Sequence, residues 1–187
     1  MVNHEETMKA AIHYAKNHNP VWPYATFIVN ASGEVLIRAC NATHISPTFH
    51  GEIVAINALT KEYRGQQLGD LTLYTTGECC TMCQSAIHWS NIMDVNIKTV
   101  VYGGSISFMQ TLWDHEINIH SREVVDKSTM TSVKIIGPVL QQECQQLFIQ
   151  AKANQENIDK YKPTWENMSW EITTFYDAPL KNELSKI

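Results

Sequence analysis

Hydrophobic and polar positions along this chain alternate between a helical pattern and a strand pattern. Helical patterns of apolar residues occupy four segments, namely Glu5–Asn17, His50–Tyr63, about Cys80–Ser90 and Leu140–Ala153. Short apolar runs bounded by turn residues predict five strands, namely Tyr24–Val29, Glu34–Ala39, Leu71–Thr75, Thr99–Tyr102 and Ser132–Ile136. The sequence therefore predicts one domain that contains both helices and a sheet.

The order of these elements predicts an α/β fold, a three-layer α/β/α sandwich around a central mixed five-stranded sheet. The segment Asn30–Gly33 between the first two strands is typical of a hairpin loop, so those strands should pair antiparallel. Later strands alternate with helices, and helical crossovers favour parallel neighbours. The stretch Ser105–Ser128 shows no clear pattern.

The chain also divides by composition into a domain and an extension. Residues 1–153 carry the predicted elements, whereas residues 154–187 are polar and irregular. The extension contains five aromatic residues, which are Tyr161, Trp165, Trp170, Phe175 and Tyr176. Aromatic side chains in an otherwise polar segment lead us to expect that the extension packs on the domain or on a partner subunit.

Composition narrows the class of protein. A length of 187 residues with 44% apolar residues suits a globular domain. No apolar run is long enough for a membrane helix, and the N-terminus is not typical of a secretory signal. The formal net charge is −5 and the chain has no cluster of lysine and arginine, which favours a small-molecule substrate over a polynucleotide. We expect a cytoplasmic protein with no membrane partner.

The cysteines indicate a metal site. Five cysteines is an odd number, and Cys79, Cys80 and Cys83 crowd into one short stretch. Such crowding suits a reduced compartment and a metal better than disulfides. Cys80 and Cys83 lie on one face of a helix start, where the positive end of the helix lowers the pKa of a thiol. Thiolates together with the imidazole of His50 select zinc.

Three protein ligands would leave one tetrahedral position for water, which is the arrangement of catalytic zinc sites. Zinc lowers the pKa of a bound water to about 7. Glu52 lies two residues after His50 and can accept and return a proton. Side chains two apart diverge within a helix, so one of the two must lie at the helix edge.

Simpler explanations exist for each residue alone. His50 could cap a helix, and Cys80 and Cys83 could be a redox pair. A structural zinc site with Cys79 as fourth ligand is a further alternative. Cys40 and Cys144 are best explained as buried apolar residues. The combination is more specific than its parts, because H-x-E followed by C-x-x-C is the known signature of zinc deaminases.

At these positions the chain resembles the cytidine and deoxycytidylate deaminase superfamily, and especially its purine branch of guanine deaminases and tRNA adenosine deaminases. The resemblance covers about Met8–Ala153. It is carried by segments similar to motifs of that family, which are Pro23–Val29, Pro47–Glu52 and Leu73–Cys83. It implies that His50, Cys80 and Cys83 bind one Zn²⁺ per chain and that Glu52 shuttles protons during hydrolytic removal of an amino group.

Two positions depart from the family pattern. Cys79 stands where the family has proline before the first cysteine, and Gly51 replaces the usual alanine. Neither change removes a chemical group that the mechanism uses. Both positions lie beside such groups. They therefore motivate the hypothesis that the protein is a catalytically inactive, zinc-stabilised binding protein.

The resemblance also suggests substrate-binding residues. Trp89 matches a tryptophan that lies beside the purine, and Asp114 matches the acid that reads the polar edge of guanine. Asn41 falls near the asparagine that reads the base. The same resemblance suggests that Tyr161 and Trp165 close the site and that the protein is a homodimer. Trp89 could equally be a core residue, and Asp114 could belong to an ordinary helix cap.

The sequence thus favours a zinc-dependent hydrolase that deaminates a purine base or nucleoside of the guanine or guanosine type. The alternative within the same chemistry is a tRNA-specific adenosine deaminase, which would need a basic groove beside the metal. The acidic net charge speaks against that alternative.

Overall fold

The computed structural model describes residues 3–128 and 133–157, together with the backbone of residues 176–177. The helices of the described part are α1 (His4–His18), α2 (Gly51–Glu62), α3 (Thr81–Ile92), α4 (Ile106–Leu112), α5 (Ser121–Asp126) and α6 (Gln141–Glu156). The strands are β1 (Ala25–Asn30), β2 (Val35–Cys40), β3 (Leu71–Gly77), β4 (Ile97–Gly104), β5 (Lys134–Ile136) and β6 (Tyr176–Asp177).

The strands form one mixed sheet in the order β5-β4-β3-β1-β2-β6. β1 pairs antiparallel with both β2 and β3, whereas β3, β4 and β5 run parallel. The loop between β1 and β2 turns tightly at Gly33, whose φ of 89° is readily reached only without a side chain. Because β3 and β4 run parallel, their carboxyl ends lie at the same edge of the sheet.

Helices cover both faces of the sheet, as the predicted three-layer sandwich requires. Alternate residues of a strand face opposite sides. On one side Leu73 and Val100 belong to the core beneath α2 and α3, and on the other Tyr74 and Val101 belong to the core beneath α1 and α6. A third, smaller cluster joins α4 to α6 at the end of the sheet through Met109, Trp113 and Phe148.

The structure differs from the prediction in a few segments. The unassigned stretch Ser105–Ser128 contains two short helices, α4 and α5. The sheet gains a short sixth strand, because the backbone of Tyr176 and Asp177 pairs with Ala39 and Arg38 of β2. Helix α6 continues to Glu156, so the predicted domain boundary at residue 153 falls inside a helix. Tyr161, Trp165, Trp170 and Phe175 lie outside the described residues.

None of the helices in the described part of the chain is both long and apolar enough to cross a membrane.

Candidate active site

Two helix starts lie side by side and carry the predicted metal ligands. His50 is the N-cap residue of α2, and Cys80 is the N-cap residue of α3. The His50 side chain makes no capping hydrogen bond to the backbone of its helix, although capping is the usual role of a side chain at this position. The backbone of His50 is extended, with φ −64° and ψ 157°. This confirms that His50 lies at the helix edge while Glu52 lies in the first turn.

The three predicted ligands come together. The imidazole of His50 and the thiols of Cys80 and Cys83 place one ligand atom each within 4.8 Å of one another. The Sγ atom of Cys80 lies 3.7 Å from Nδ1 of His50. Typical zinc bond lengths and tetrahedral angles place a sulfur and a nitrogen ligand about 3.6 Å apart, so the observed separation fits zinc. Cys79 is not part of this group, which leaves three protein ligands among the described residues.

The surroundings prepare the Cys80 thiol to bind a cation. A hydrogen bond from the Cys83 thiol and another from His50 lower the pKa of Cys80 to about 4, although burial acts in the opposite direction. The same contact raises the pKa of Cys83 well above its usual value, because Cys83 donates its hydrogen to Cys80. A divalent cation would replace this shared proton and stabilise both thiolates.

Glu52 lines the same cavity as the ligands His50 and Cys80. Its side chain is 3% exposed, and its Oε1 atom accepts a hydrogen bond of 3.0 Å from the hydroxyl of Thr75 on β3. Burial raises the pKa of the carboxyl, and the negative charge of Cys80 adds to that effect. A buried carboxyl with a raised pKa is suited to accept a proton and to release it again.

Gly51 allows α2 to begin unusually close to the sheet. A Cβ atom built on Gly51 would lie 2.5 Å from the backbone oxygen of Tyr24 and 3.0 Å from Oγ1 of Thr26. Because real Cβ atoms do not approach a backbone oxygen so closely, an alanine at this position would force α2 away from β1. The departure from the family pattern at Gly51 therefore has a local structural reason.

A cavity of about 370 Å³ opens above these residues. His50, Glu52 and Cys80 line its floor. Its walls come from the segment before β1, the loop after β2, the end of β3, the start of α3, and α4 with the loop after it. The wall residues are Trp22, Tyr24, Asn41, Thr43, Pro47, Glu78, Thr81, Met82, Met109, His115, Glu116 and Ile117. A cavity of this size with a few convergent polar groups suits a small planar molecule.

One of the three predicted substrate-binding residues lies in this cavity. Asn41 is 4% exposed, and its Oδ1 atom accepts hydrogen bonds of 3.1 Å and 2.8 Å from the backbone and hydroxyl of Thr43. These bonds fix the amide, with its Nδ2 group available to a ligand. The amide is therefore held in one orientation at the cavity wall.

The structure does not bring Trp89 or Asp114 to the cavity. Trp89 is 65% exposed and lines a separate cavity of about 190 Å³ between α3 and α5. Asp114 is exposed in the turn after α4, and the wall is formed instead by its neighbours His115 and Glu116. The direction of a side chain in such a short turn depends on the turn geometry, which the sequence pattern did not reveal.

Glu116 and Tyr24 are site residues that the sequence reasoning missed. The Tyr24 hydroxyl donates a hydrogen bond of 3.4 Å to Oε1 of Glu116. Burial raises the pKa of Glu116, and the charge of Cys80 raises it further. Tyr24 was assigned only to a strand, and Glu116 lies in the stretch without a pattern. The sequence offered an acid at Asp114, whereas the acid that lines the cavity lies two positions further along the chain.

Glu78 holds the rim of the site together. Its carboxylate is 4% exposed and accepts hydrogen bonds from the backbone N–H of Ile106 and of Ser121, each 3.0 Å long. The Ser121 hydroxyl and the His120 ring also contact it, at 3.0 Å each. One buried carboxylate thus joins the end of β3 to the starts of α4 and α5, immediately before the metal-ligand pair.

Comparisons with known proteins agree with this site. Residues 1–99 match the family described as the cytidine and deoxycytidylate deaminase zinc-binding region. This match includes all three proposed ligands and Glu52, and it covers more than half of the 187 residues. The chain belongs to this family. The membership confirms the predicted deaminase family and its zinc-binding region.

Individual relatives include both guanine and tRNA deaminases. A guanine deaminase of Bacillus subtilis (strain 168) is 35% identical over 94 residues, which cover 48% of this chain and 60% of the relative. A tRNA-specific adenosine deaminase of Haemophilus influenzae is 28% identical over 148 residues, covering 74% and 77%. The solved guanine deaminase of Nitrosomonas europaea has a TM-score of 0.68 at 15% identity, covering 82% of this chain and 86% of that one. This last similarity confirms the predicted fold.

Proposed function

We propose that this protein is a zinc-dependent hydrolytic deaminase of a guanine-type purine base or nucleoside. The observation that carries the proposal is one cavity that holds three features. The metal group of His50, Cys80 and Cys83 reaches the cavity through His50 and Cys80, the buried Glu52 lines it beside them, and the carboxylate of Glu116 lies in its wall. The first two suit hydrolysis of a carbon–nitrogen bond, and the third suits recognition of a base with adjacent hydrogen-bond donors.

His50, Cys80 and Cys83 would hold the zinc ion. When bound, zinc supplies a Lewis acid that makes water a usable nucleophile at neutral pH. Three protein ligands would leave one tetrahedral position for water, as a catalytic zinc site requires. The starts of α2 and α3 direct the positive ends of two helices at this point, which stabilises negative charge on the thiolates.

Glu52 would move the protons of the reaction. Hydrolysis of an amino-substituted ring carbon needs a group that takes one proton from water and delivers it to the ring nitrogen. The same group must then take the hydroxyl proton of the tetrahedral adduct and deliver it to the amino group, which leaves as ammonia when the carbonyl forms. Glu52 can do both, because it is buried at the cavity floor and its carboxyl pKa is raised. The hydroxyl of Thr75 holds one oxygen of this carboxylate in place.

Glu116 and Asn41 would read the base. Guanine presents N1–H and the N2 amino group as neighbouring donors, and a carboxylate can accept both. Adenine lacks this donor pair. Asn41 has its oxygen engaged by Thr43, so its Nδ2 group would donate to an acceptor on the ligand. Glu116 takes over the role that the sequence resemblance assigned to Asp114.

The second candidate is deamination of adenosine in tRNA. Its support is the H. influenzae relative, whose alignment covers more of this chain than that of the B. subtilis guanine deaminase. The net charge of −5 and an acidic residue in the cavity wall favour a free purine base or nucleoside over tRNA as the substrate, because a tRNA backbone requires cationic contacts.

An ammonia-release screen tests the proposal. Zinc-loaded protein is assayed with guanine, guanosine, adenine, adenosine, cytidine, their deoxy forms and an adenosine-containing tRNA stem-loop. We expect release from a guanine-type substrate and at least a thousandfold loss in Glu52→Ala, because the reaction loses its general acid–base group. Glu143→Ala, at an exposed position of α6, is the matched control and should keep full activity.

The results of the screen separate the candidates. Release from the tRNA stem-loop alone would replace the purine proposal by the tRNA alternative. Silence across the panel by protein with one zinc per chain would favour the zinc-stabilised binding protein. Release that survives in Glu52→Ala would contradict the assigned mechanism.

We also propose that the protein is a cytoplasmic homodimer. The five free cysteines support a reducing compartment. The side chains of Trp89 and Met93 on α3 and its C-terminal end are 65% and 77% exposed, which provides an apolar surface for a second copy. Light scattering on the purified protein tests the dimer, and Trp89→Glu should shift it toward monomer. A wild-type monomer at micromolar concentration would contradict it.

A further inference from the structure

The ring of Tyr24 is wedged rigidly at the back of the active-site cavity. A Cβ atom on Gly77 would lie only 3.0 Å from two carbons of this ring, so the absence of a side chain at Gly77 makes room for it. The ring of Phe148 lies 4.9 Å away between centroids, and that of Trp113 lies 6.5 Å away. Packing on several sides leaves the phenol little rotational freedom.

Trp113 is itself fixed, which makes the wall behind Tyr24 rigid. Its indole N–H donates a hydrogen bond of 2.8 Å to Oε1 of Gln155 on α6. The Nε2 group of Gln155 in turn donates to the backbone oxygen of Val21 at 2.9 Å. This chain of bonds joins α4, α6 and the segment that enters β1.

The hydroxyl of Tyr24 points toward Glu116. Its hydrogen bond of 3.4 Å to Oε1 is the only side-chain hydrogen bond that the Glu116 carboxylate makes within the described residues. Glu116 lies in an irregular turn after α4, where the backbone alone does not fix a side-chain direction. The bond runs from a packed strand-entry residue to a loop residue, and both line the same cavity as Glu52.

We propose that Tyr24 is a positioning residue, which orients the Glu116 carboxylate toward the donor edge of the purine. The proposal rests on the proposed function. The Tyr24 hydroxyl occupies one lone pair of Oε1, which leaves the other lone pairs of the carboxylate for the two adjacent donors of a guanine-type base. An interaction made equally in substrate and transition state affects KM rather than kcat.

A double-mutant cycle tests this role. Tyr24→Phe removes only the hydroxyl and should raise KM for the guanine-type substrate about tenfold to a hundredfold, with kcat changed less than threefold. Glu116→Gln should cause a larger loss. The double variant should be no worse than Glu116→Gln alone, because the hydroxyl acts through the carboxylate. Tyr63→Phe is the matched control, since its hydroxyl bond to Leu36 has the same length of 3.4 Å and lies outside the cavity.

Additive losses in the double variant, or an unchanged KM in Tyr24→Phe, would overturn the positioning role while the deaminase proposal stands. The binding of 8-azaguanine to the same variants in the Glu52→Ala background gives a second readout without turnover, with the same expected pattern. Failure of the wild-type protein both to bind this probe and to deaminate any guanine-type substrate would overturn the proposed function, and with it the recognition role of Glu116.

A crystal structure of Tyr24→Phe separates these failures. We expect the Glu116 side chain to leave its wild-type orientation when the hydroxyl is absent. A carboxylate that stays in place would overturn the proposal regardless of the substrate.

Discussion

At the scale of single residues, the proposed catalysis requires that the Glu52 carboxylate be held in place. Thr26 and Thr75 face each other across β1 and β3, and both are fully buried. The Thr75 hydroxyl donates to Glu52, whereas Oγ1 of Thr26 has no hydrogen-bond partner among the residues that the structure describes. Of these two neighbouring threonines, Thr75 is the one whose hydroxyl contacts the Glu52 carboxylate.

This pair supplies a matched test. Thr75→Val should lower kcat about tenfold, because it removes one hydrogen bond to a charged group and frees the carboxylate to rotate. Thr26→Val should leave kcat within twofold and should not destabilise the fold, because it removes a buried hydroxyl that is unpaired. Steady-state kinetics and urea unfolding measure both effects. Equal losses of kcat in the two variants would show that Thr75 has no special role.

Gly51 provides a second residue-scale prediction. Gly51→Ala should destabilise the protein by about 1–3 kcal/mol, because the new Cβ atom overlaps the backbone of Tyr24. It should also weaken zinc binding, because His50 and Glu52 move with the start of α2. Chelator competition and urea unfolding measure the two effects. Asn57→Ala, at an exposed position of the same helix, is the control, and equal stability of the two variants would contradict the close approach.

Residue chemistry was the part of the site most accessible from sequence. The spacing of His50 and Glu52, followed by Cys80 and Cys83, identified a group that the structure brings together. The prediction succeeded because the side-chain directions of residues at a helix start follow from their spacing along the sequence. Glu116 was missed because it lies in a turn, where neighbouring residues point in different directions without a fixed period.

At the scale of elements, Glu78 determines how the loops around the site are held. The Glu78 carboxylate accepts hydrogen bonds from backbone N–H groups at the starts of α4 and α5, which would otherwise bond to water. Both helices are short and have little stability of their own. This also explains why sequence patterns did not show these helices. Six or seven residues give no periodic signal, and a buried acid after β3 stabilises their starts.

Replacement of this acid should therefore loosen the rim of the cavity. Glu78→Gln should lower the free energy of unfolding by about 3 kcal/mol, because an amide has one acceptor oxygen and its NH₂ group would face donors. Activity should fall as well, since Glu78 lines the cavity. Urea unfolding measures the stability. Glu143→Gln, exposed in the first turn of α6, should change it by less than about 0.5 kcal/mol, and a similar value for Glu78→Gln would refute this role.

At the scale of the whole molecule, the five thiols should report on the integrity of the metal site. Cys40 and Cys144 are buried on the opposite side of the sheet from α2 and α3, and burial raises the pKa of each to about 12. They should remain protonated and unreactive at any pH that the fold tolerates. Cys80 is half-buried, and its pKa is lowered to about 4, so it should be the most reactive thiol once metal is removed.

Thiol titration measures this difference. Zinc-loaded protein should react slowly with a disulfide reagent, and a chelator should expose one fast thiol at pH 7. Cys80→Ser should remove the fast phase, whereas Cys144→Ala should retain it. A fast phase already present at full zinc occupancy would mean that Cys80 is not a ligand.

The overall architecture was predictable because it follows from patterns spread over many residues. The alternation of strands and helices predicted the three layers, and the hairpin loop predicted the antiparallel pairing of β1 with β2. The short strand β6 and the length of α6 could not be predicted, because a two-residue strand and a helix end depend on contacts with distant parts of the chain.

The central claim is that zinc held by His50, Cys80 and Cys83 and protons moved by Glu52 together deaminate a guanine-type purine. The most direct measurement is the rate of ammonia release from that substrate as zinc is restored to metal-free protein. The rate should rise in proportion to bound zinc, stop rising at about one ion per chain, and stay at background in Glu52→Ala. A rate that does not depend on zinc, or that persists without Glu52, would contradict this account.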